Sequence, residues 1–161
     1  MDGKLIVSSS PHISSPVKTK NIMLDVIIAL IPSLAASIYF FGPRAAVITI
    51  VSVATCVIAE YICRKVMKRE QTIGDLSAVV TGILLAFNLP SSVPIYVPII
   101  GGLVAIVMVK QMFGGLGQNF VNPALLARII LMNSFPVLMT TWYPAGGFAA
   151  DTTATASPLA N

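Results

Sequence analysis

Residues Ile22–Phe41 read IMLDVIIALIPSLAASIYFF, and this stretch decides the fold class. At 1.5 Å rise per residue, a helix of that length covers about 30 Å, the thickness of a bilayer's hydrocarbon core. It contains Asp25 near its start, and Pro32. The rest of the chain has the same bias. Apolar residues make up 56% and charged residues 10%, with mean hydropathy +0.88. A soluble domain carries about 25% charged residues to cover its surface. This chain does not have them, so part of its surface faces lipid.

Working outward, residues 1–21 form a polar tail without the apolar core and small-residue cleavage site of a signal peptide, so the first span is retained. FGPR, Phe41–Arg44, is a turn. A second span covers Ala45–Cys63 and holds Glu60; RKVMKRE, Arg64–Glu70, is a charged loop. A short third stretch, Leu76–Leu89, contains Thr81 and Gly82 and stops at Asn88 and Pro90. A fourth runs Val93–Val109, followed by KQMFGGLGQNFVNPA, Lys110–Ala124. A last apolar stretch, Leu125–Met139, holds Arg128. Residues 140–161 form a Gly-, Thr- and Ala-rich loop. The expected fold is an all-α membrane protein: about five transmembrane helices over 22–139, some short and broken.

Alternating the loops places Lys4, Lys18, Lys20, Arg64, Lys65, Lys68, Arg69, Lys110 and Arg128 on one side. Arg44 stands alone on the other. Basic residues gather on the cytoplasmic face, so the N-terminus is expected inside and the 140–161 loop outside. The net charge of +4 follows this topology and forms no basic patch interleaved with aromatics, which argues against a nucleic-acid partner. An odd number of crossings is what one half of an inverted-repeat membrane protein has.

Four features are candidates for chemistry. The broken third stretch and the GGLGQNFVNPA segment leave backbone groups that lipid cannot satisfy; protein, water or a ligand must do so. Asp25, Glu60 and Arg128 are charges inside or at the edge of spans. Asp25 and Glu60 are expected to be interfacial and solvated, with a cation pathway as the sharper alternative. Cys56 and Cys63 share one helical face and are read as packing residues; no CxxC or metal-ligand cluster accompanies them. The loop DTTATASPLA, Asp151–Ala160, is hydroxyl-rich. The only histidine, His12, lies in the N-terminal tail, so no Ser–His–Asp constellation forms.

SSSPH (Ser8–His12), IMLDVIIALIP (Ile22–Pro32), GDLSAVVTGILLAFNLP (Gly74–Pro90) and KQMFGGLGQNFVNPALLAR (Lys110–Arg128) together resemble the RnfD/NqrB family, closer to RnfD. The resemblance runs from about residue 8 to the end. It implies two inverted halves of five helices, of which this chain covers roughly the first. It also implies a subunit of an ion-translocating ferredoxin:NAD+ oxidoreductase in the cell membrane, with the other Rnf subunits as partners. The family carries FMN as a phosphoester on a hydroxyl in the outer loop after the fifth helix, attached by a flavin transferase.

The family's attachment motif reads roughly Asp-x-x-Ser/Thr-Gly-Ala-Thr before Pro-Leu. Laid from Asp151 and anchored on Pro158 and Leu159, it puts the modified hydroxyl on Ser157, with Ala154, Thr155 and Ser157 departing from the pattern. A second register puts it on Thr155 and loses the Asp and Pro-Leu spacing. Gly114 and Gly115 would allow a close approach by a flavin or a neighbouring helix. Asn119 and Asn122 would hydrogen-bond a flavin ring or the broken-helix backbone, and a non-covalent riboflavin is also implied. Two other readings stand beside the redox subunit: half of a solute channel or transporter, and a structural membrane subunit without redox chemistry.

Overall fold

The computed structural model describes residues 19–69, 71–115, 117–119 and 121–142, and these are helical throughout apart from turns and connections. Helix α1 is Thr19–Phe41 and α2 is Pro43–Val66. Both are long and apolar enough to cross a membrane. They are joined by a single residue. Gly42 takes φ 77°, a region costly for any residue with a Cβ, and Pro43 opens α2 where its missing N–H would have no helical partner anyway. Helix α2 ends in a Schellman motif. The Arg69 N–H donates to the Arg64 carbonyl at 3.0 Å and the Lys68 N–H to that of Lys65 at 3.3 Å, with Lys68 left-handed at φ 53°.

After a 3₁₀ turn at Ile73–Asp75 comes α3, Ser77–Phe87. Its 11 residues reach only about 16 Å. The leg it begins is nevertheless as tall as α2. Ser77 starts beside Glu60, Gly82 lies against Val53, and the Ser92 and Val93 carbonyls accept from Arg44 Nη2 at 3.3 and 3.2 Å. The irregular stretch after Phe87 thus carries the leg to the level of Arg44, whose guanidinium meets two of its carbonyls.

The fourth leg starts as α4, Tyr96–Leu103, and continues as a π-helix, Val104–Gln111. The fifth is α5, Pro123–Ser134, capped by the Asn122 side chain, which accepts from the Ala124 N–H at 2.9 Å. Pro136 then breaks the line and starts the five-residue α6, Pro136–Thr140. The legs alternate in direction. Leu131 of α5 packs on Gly101 of α4, Tyr96 meets Phe135 edge-on, and Ser92 Oγ donates to the Thr141 carbonyl at 2.7 Å. One end of the bundle therefore gathers Thr19, Glu60–Arg69, Asp75–Ser77 and the Lys110–Asn122 segment. The other gathers Phe41–Arg44, Asn88–Ile95 and Pro136–Trp142.

Helix α2 is the spine, packing on α1, α3, α4 and the π-helix. Close approach comes from small residues, the usual device where apolar burial alone gives no drive between helices. A Cβ on Gly82 would lie 2.6 Å from Val53 Cα, and Ser52 Oγ donates across the gap to the Gly82 carbonyl at 2.9 Å. Gly102 faces Thr55 and Cys56 in the same way. Cys56 is fully buried and Cys63 half-buried, both as free thiols, in keeping with their reading as packing residues. By contrast α1 buries none of its residues.

Gly82→Ala should lower stability by about 1–3 kcal/mol, because the obstructing atoms are backbone and cannot rotate away. Gly74→Ala, with nothing within 4 Å, should be close to neutral. Thermal unfolding of the two variants in detergent micelles checks the contrast. Equal melting temperatures would refute the tight-contact account.

Candidate functional site

The densest polar construction lies at the end holding the Arg64–Arg69 turn. Glu60 is 0% exposed, deep in the wall of α2. Its carboxylate is held by Lys110 Nζ, at 2.9 Å from Oε1 and 3.0 Å from Oε2. Gln111 Nε2 donates to Oε1 at 3.0 Å, Thr72 Oγ1 donates to it at 3.2 Å, and Arg64 Nε stands 3.8 Å away. Lys110 Nζ also donates to Ser77 Oγ at 2.6 Å. Ser77 in turn donates to Asp75 Oδ1 through its hydroxyl at 2.6 Å and its N–H at 2.8 Å. One ammonium therefore bridges two carboxylates, directly to Glu60 and through a hydroxyl to Asp75.

This corrects one expectation: Glu60 is buried rather than solvated. Lys110, the residue that follows the fourth apolar stretch, is 1% exposed in the bundle. Lys110 lies four residues after the buried Ile106, on the same helical face, and the π-helix brings Gln111 round as well. Its i→i+5 bonds, such as Met112 N–H to the Val107 carbonyl at 3.2 Å, bring residues five apart nearly into line. Lys110 and Gln111 thus follow Ala105 and Ile106 onto the buried face, and all four are buried. An uncompensated carboxylate at that depth is costly, so the cation is drawn in. Asp25, by contrast, is exposed on α1.

The Gly-rich segment adjoins this knot. Gly114 and Gly115 take φ 108° and 107°, conformations a side chain would strain. A Cβ on Gly115 would stand 2.8 Å from Arg64 Nη2, so the glycine leaves room for that guanidinium. Arg69 Nη1 reaches the Gln111 carbonyl at 3.4 Å. Asn119, with its amide nitrogen turned toward them, donates to the Val109 and Lys110 carbonyls at 3.0 and 3.3 Å. Asn122 caps α5. The broken backbone is therefore met by these side chains.

Arg128 stands apart from the Glu60 knot. It is half-buried within α5, and its Nη1 donates to Asn88 Oδ1 at 3.0 Å. Asp151, Thr155 and Ser157 lie outside the described residues. The last described residue before that loop, Trp142, stands at the end opposite the Glu60 knot. There it lines a cavity of about 280 Å³ between α1, α2 and α3, with Phe40, Phe41 and Phe87 and the hydroxyls of Ser37 and Thr49. Gly114, Gly115, Asn119 and Asn122 thus lie at one end, and Trp142, the last described residue before the hydroxyl-rich loop, lies at the other.

A search of protein families matches residues 6–161 to the one described as NQR2, RnfD, RnfE. Over 158 residues the chain is 49% identical to the D component of the Na(+)-translocating ferredoxin:NAD(+) oxidoreductase complex of Acetobacterium woodii, covering 97% of this chain and 48% of that protein. Over 153 residues it is 40% identical to the D component of the proton-translocating ferredoxin:NAD(+) oxidoreductase complex of Clostridium ljungdahlii, covering 95% and 46%. The D component of the ion-translocating oxidoreductase complex of Shewanella amazonensis is 45% identical over 138 residues, covering 84% and 40%. The chain spans about half the length of the curated relatives it matches.

Lys110→Met alone should strand the buried Glu60 carboxylate and cost about 3–5 kcal/mol. Pairing it with Glu60→Gln should return much of that loss, because no charge is then left without its partner. A double-mutant cycle on thermal unfolding measures the coupling. Additive losses would mean that the pair does not act as a unit.

Proposed function

The chain belongs to the NQR2, RnfD, RnfE family, and from that premise we propose that it serves as a membrane subunit of an Rnf-type oxidoreductase complex. In this reading it relays electrons between ferredoxin and NAD through covalently bound FMN, and the complex couples that flow to Na+ or H+ movement. The observation that carries the reading is the match along nearly the whole chain to proteins named as the D component of such complexes. Those relatives are named for both sodium and protons, and the proposal leaves the ion open. The apolar helices support a membrane location. The proposed orientation puts the Glu60 end in the cytoplasm, because Lys20, Arg64, Lys65, Lys68, Arg69 and Lys110 all gather there and Arg44 sits at the other end.

The donor chemistry of the chain suits FMN. Ser157 and Thr155 each offer a hydroxyl that can take the phosphoester. The hydroxyl oxygen bonds to phosphorus, its proton leaves, and the leaving group departs from the activated flavin nucleotide that the transferase supplies. FMN, when bound, supplies the electron-accepting and electron-donating ring. The cavity beside Trp142, with aromatic walls and hydroxyls, has the chemistry to seat a planar aromatic ring at the end where the loop begins. The Gly114–Asn122 segment is at the end opposite that cavity. A non-covalent riboflavin would be the group assigned to that segment.

A structural subunit without redox chemistry is the second reading, favoured by Ala154, Thr155 and Ser157 departing from the attachment pattern. Co-expression with a flavin transferase, read by flavin fluorescence on a denaturing gel, separates the two. A fluorescent band is expected, abolished by either Ser157→Ala or Thr155→Ala and retained in the other. A dark lane beside a labelled full-length relative would remove the flavin from the proposal and leave the structural reading.

A further inference from the structure

We infer that Arg44 is the cation that docks the phosphate of the attached flavin and so holds the carrier loop against the bundle; this rests on the chain carrying FMN as proposed. The loop begins beside it. Ser92 Oγ donates to the Thr141 carbonyl at 2.7 Å, and the Ser92 carbonyl accepts from Arg44 Nη2 at 3.3 Å. A single residue thus links the guanidinium to Thr141, the neighbour of Trp142. The length of chain between Trp142 and Thr155 or Ser157 is ample for either hydroxyl to return to it.

The guanidinium is fixed in place and only partly used. Its Nη2 is held by two carbonyls, those of Ser92 and Val93. Its Nε and Nη1 donors have no partner among the described residues, and the side chain is exposed. An arginine held by the backbone through one nitrogen, with donors open on the others, is preorganised for an anion. Its side chain is already ordered, so docking costs it little rotamer freedom. A phosphate, an anion with several acceptor oxygens, suits the open donors of a guanidinium.

The surroundings match the rest of the flavin. Ile48 lines both the aromatic cavity beside Trp142 and the apolar groove that carries Arg44. FMN has a planar aromatic ring at one end and a phosphate at the other, and the phosphate remains an anion once esterified. A ring seat and a fixed cation on two sides of one side chain suit those two ends. The cations around Glu60 are at the opposite end of the bundle, and Arg128 is engaged with Asn88.

The test uses the chain co-expressed with a flavin transferase and purified in detergent micelles, beside Arg44→Gln and Arg44→Lys. A denaturing gel reads flavin attachment, and the fluorescence anisotropy of the attached flavin in the folded protein reads docking. Gel bands of equal brightness are expected, with the anisotropy of Arg44→Gln falling toward that of the denatured sample. Arg44→Lys, which keeps the charge, should stay close to the parent. Raising the salt concentration should lower the parent's anisotropy, because an exposed contact between two charges is screened. A loss caused only by releasing the Ser92 and Val93 carbonyls would not follow salt. The salt series needs only the parent, so it decides even where a variant fails to fold. Unchanged anisotropy in Arg44→Gln, an equal loss in Arg44→Lys, or a parent indifferent to salt would overturn the inference. A dark parent lane beside a labelled full-length relative would instead remove the flavin reading, and the inference with it.

Discussion

A carboxylate placed in the wall of an apolar helix bundle has to be neutralised where it stands, and the arrangement around Glu60 follows from that constraint. Lys110 has to arrive at the same height from a different leg, so the fourth leg must keep its backbone in register as far as residue 110. The π-helix does this by widening the turn at Val104–Gln111. The third leg must start at the same level for Ser77 to share the ammonium, and this explains the tight Thr72–Leu76 turn, with Leu76 left-handed at φ 62°. Three legs are thereby tied at one end by groups that lipid cannot replace. At the far end Arg44 gathers the carbonyls of the third leg, so the short α3 is held above and below.

The glycine contacts complete this frame. Gly82 and Gly102 bring α3 and α4 onto α2 closely enough for backbone atoms to meet side chains. Polar ties at the ends and small residues in the middle divide the work between them. The ties fix height and register, and the small residues fix distance. A bundle built this way gains little from apolar burial alone, which agrees with the many large apolar side chains left on its surface.

Much of this was legible in the residues. The apolar run of α1, the FGPR turn and the short third stretch ending at Asn88 and Pro90 each signal their element directly. The apolar pattern places the start of α5 at Leu125, two residues later than Pro123, although the Asn122–Pro123 pair fits a cap followed by a first-turn proline. The Glu60–Lys110 pair was not legible, because Lys110 closes an apolar stretch before a Gly-rich run and so reads as a loop residue. One signal was available: a buried acid needs a cation, and Lys110 is the basic residue that ends an apolar leg on the same side. The π-helix has no comparable signal, since its apolar residues fit an α-helix equally well. Asp151, Thr155 and Ser157 lie outside the described residues, and for them sequence pattern remains the only guide.

The single residue between α1 and α2 has a mechanical meaning. Helices α2 to α5 form one braced block, clamped at both ends and closely packed at the centre. Helix α1 contributes no buried residue and joins that block through Gly42, the residue type with the greatest backbone freedom. A swing of α1 about Gly42 would therefore uncover no buried side chain of α1 itself. Such a swing would carry Asp25, exposed on its shaft, past the fixed wall of the block, and would widen or narrow the aromatic cavity that α1 itself closes on one side.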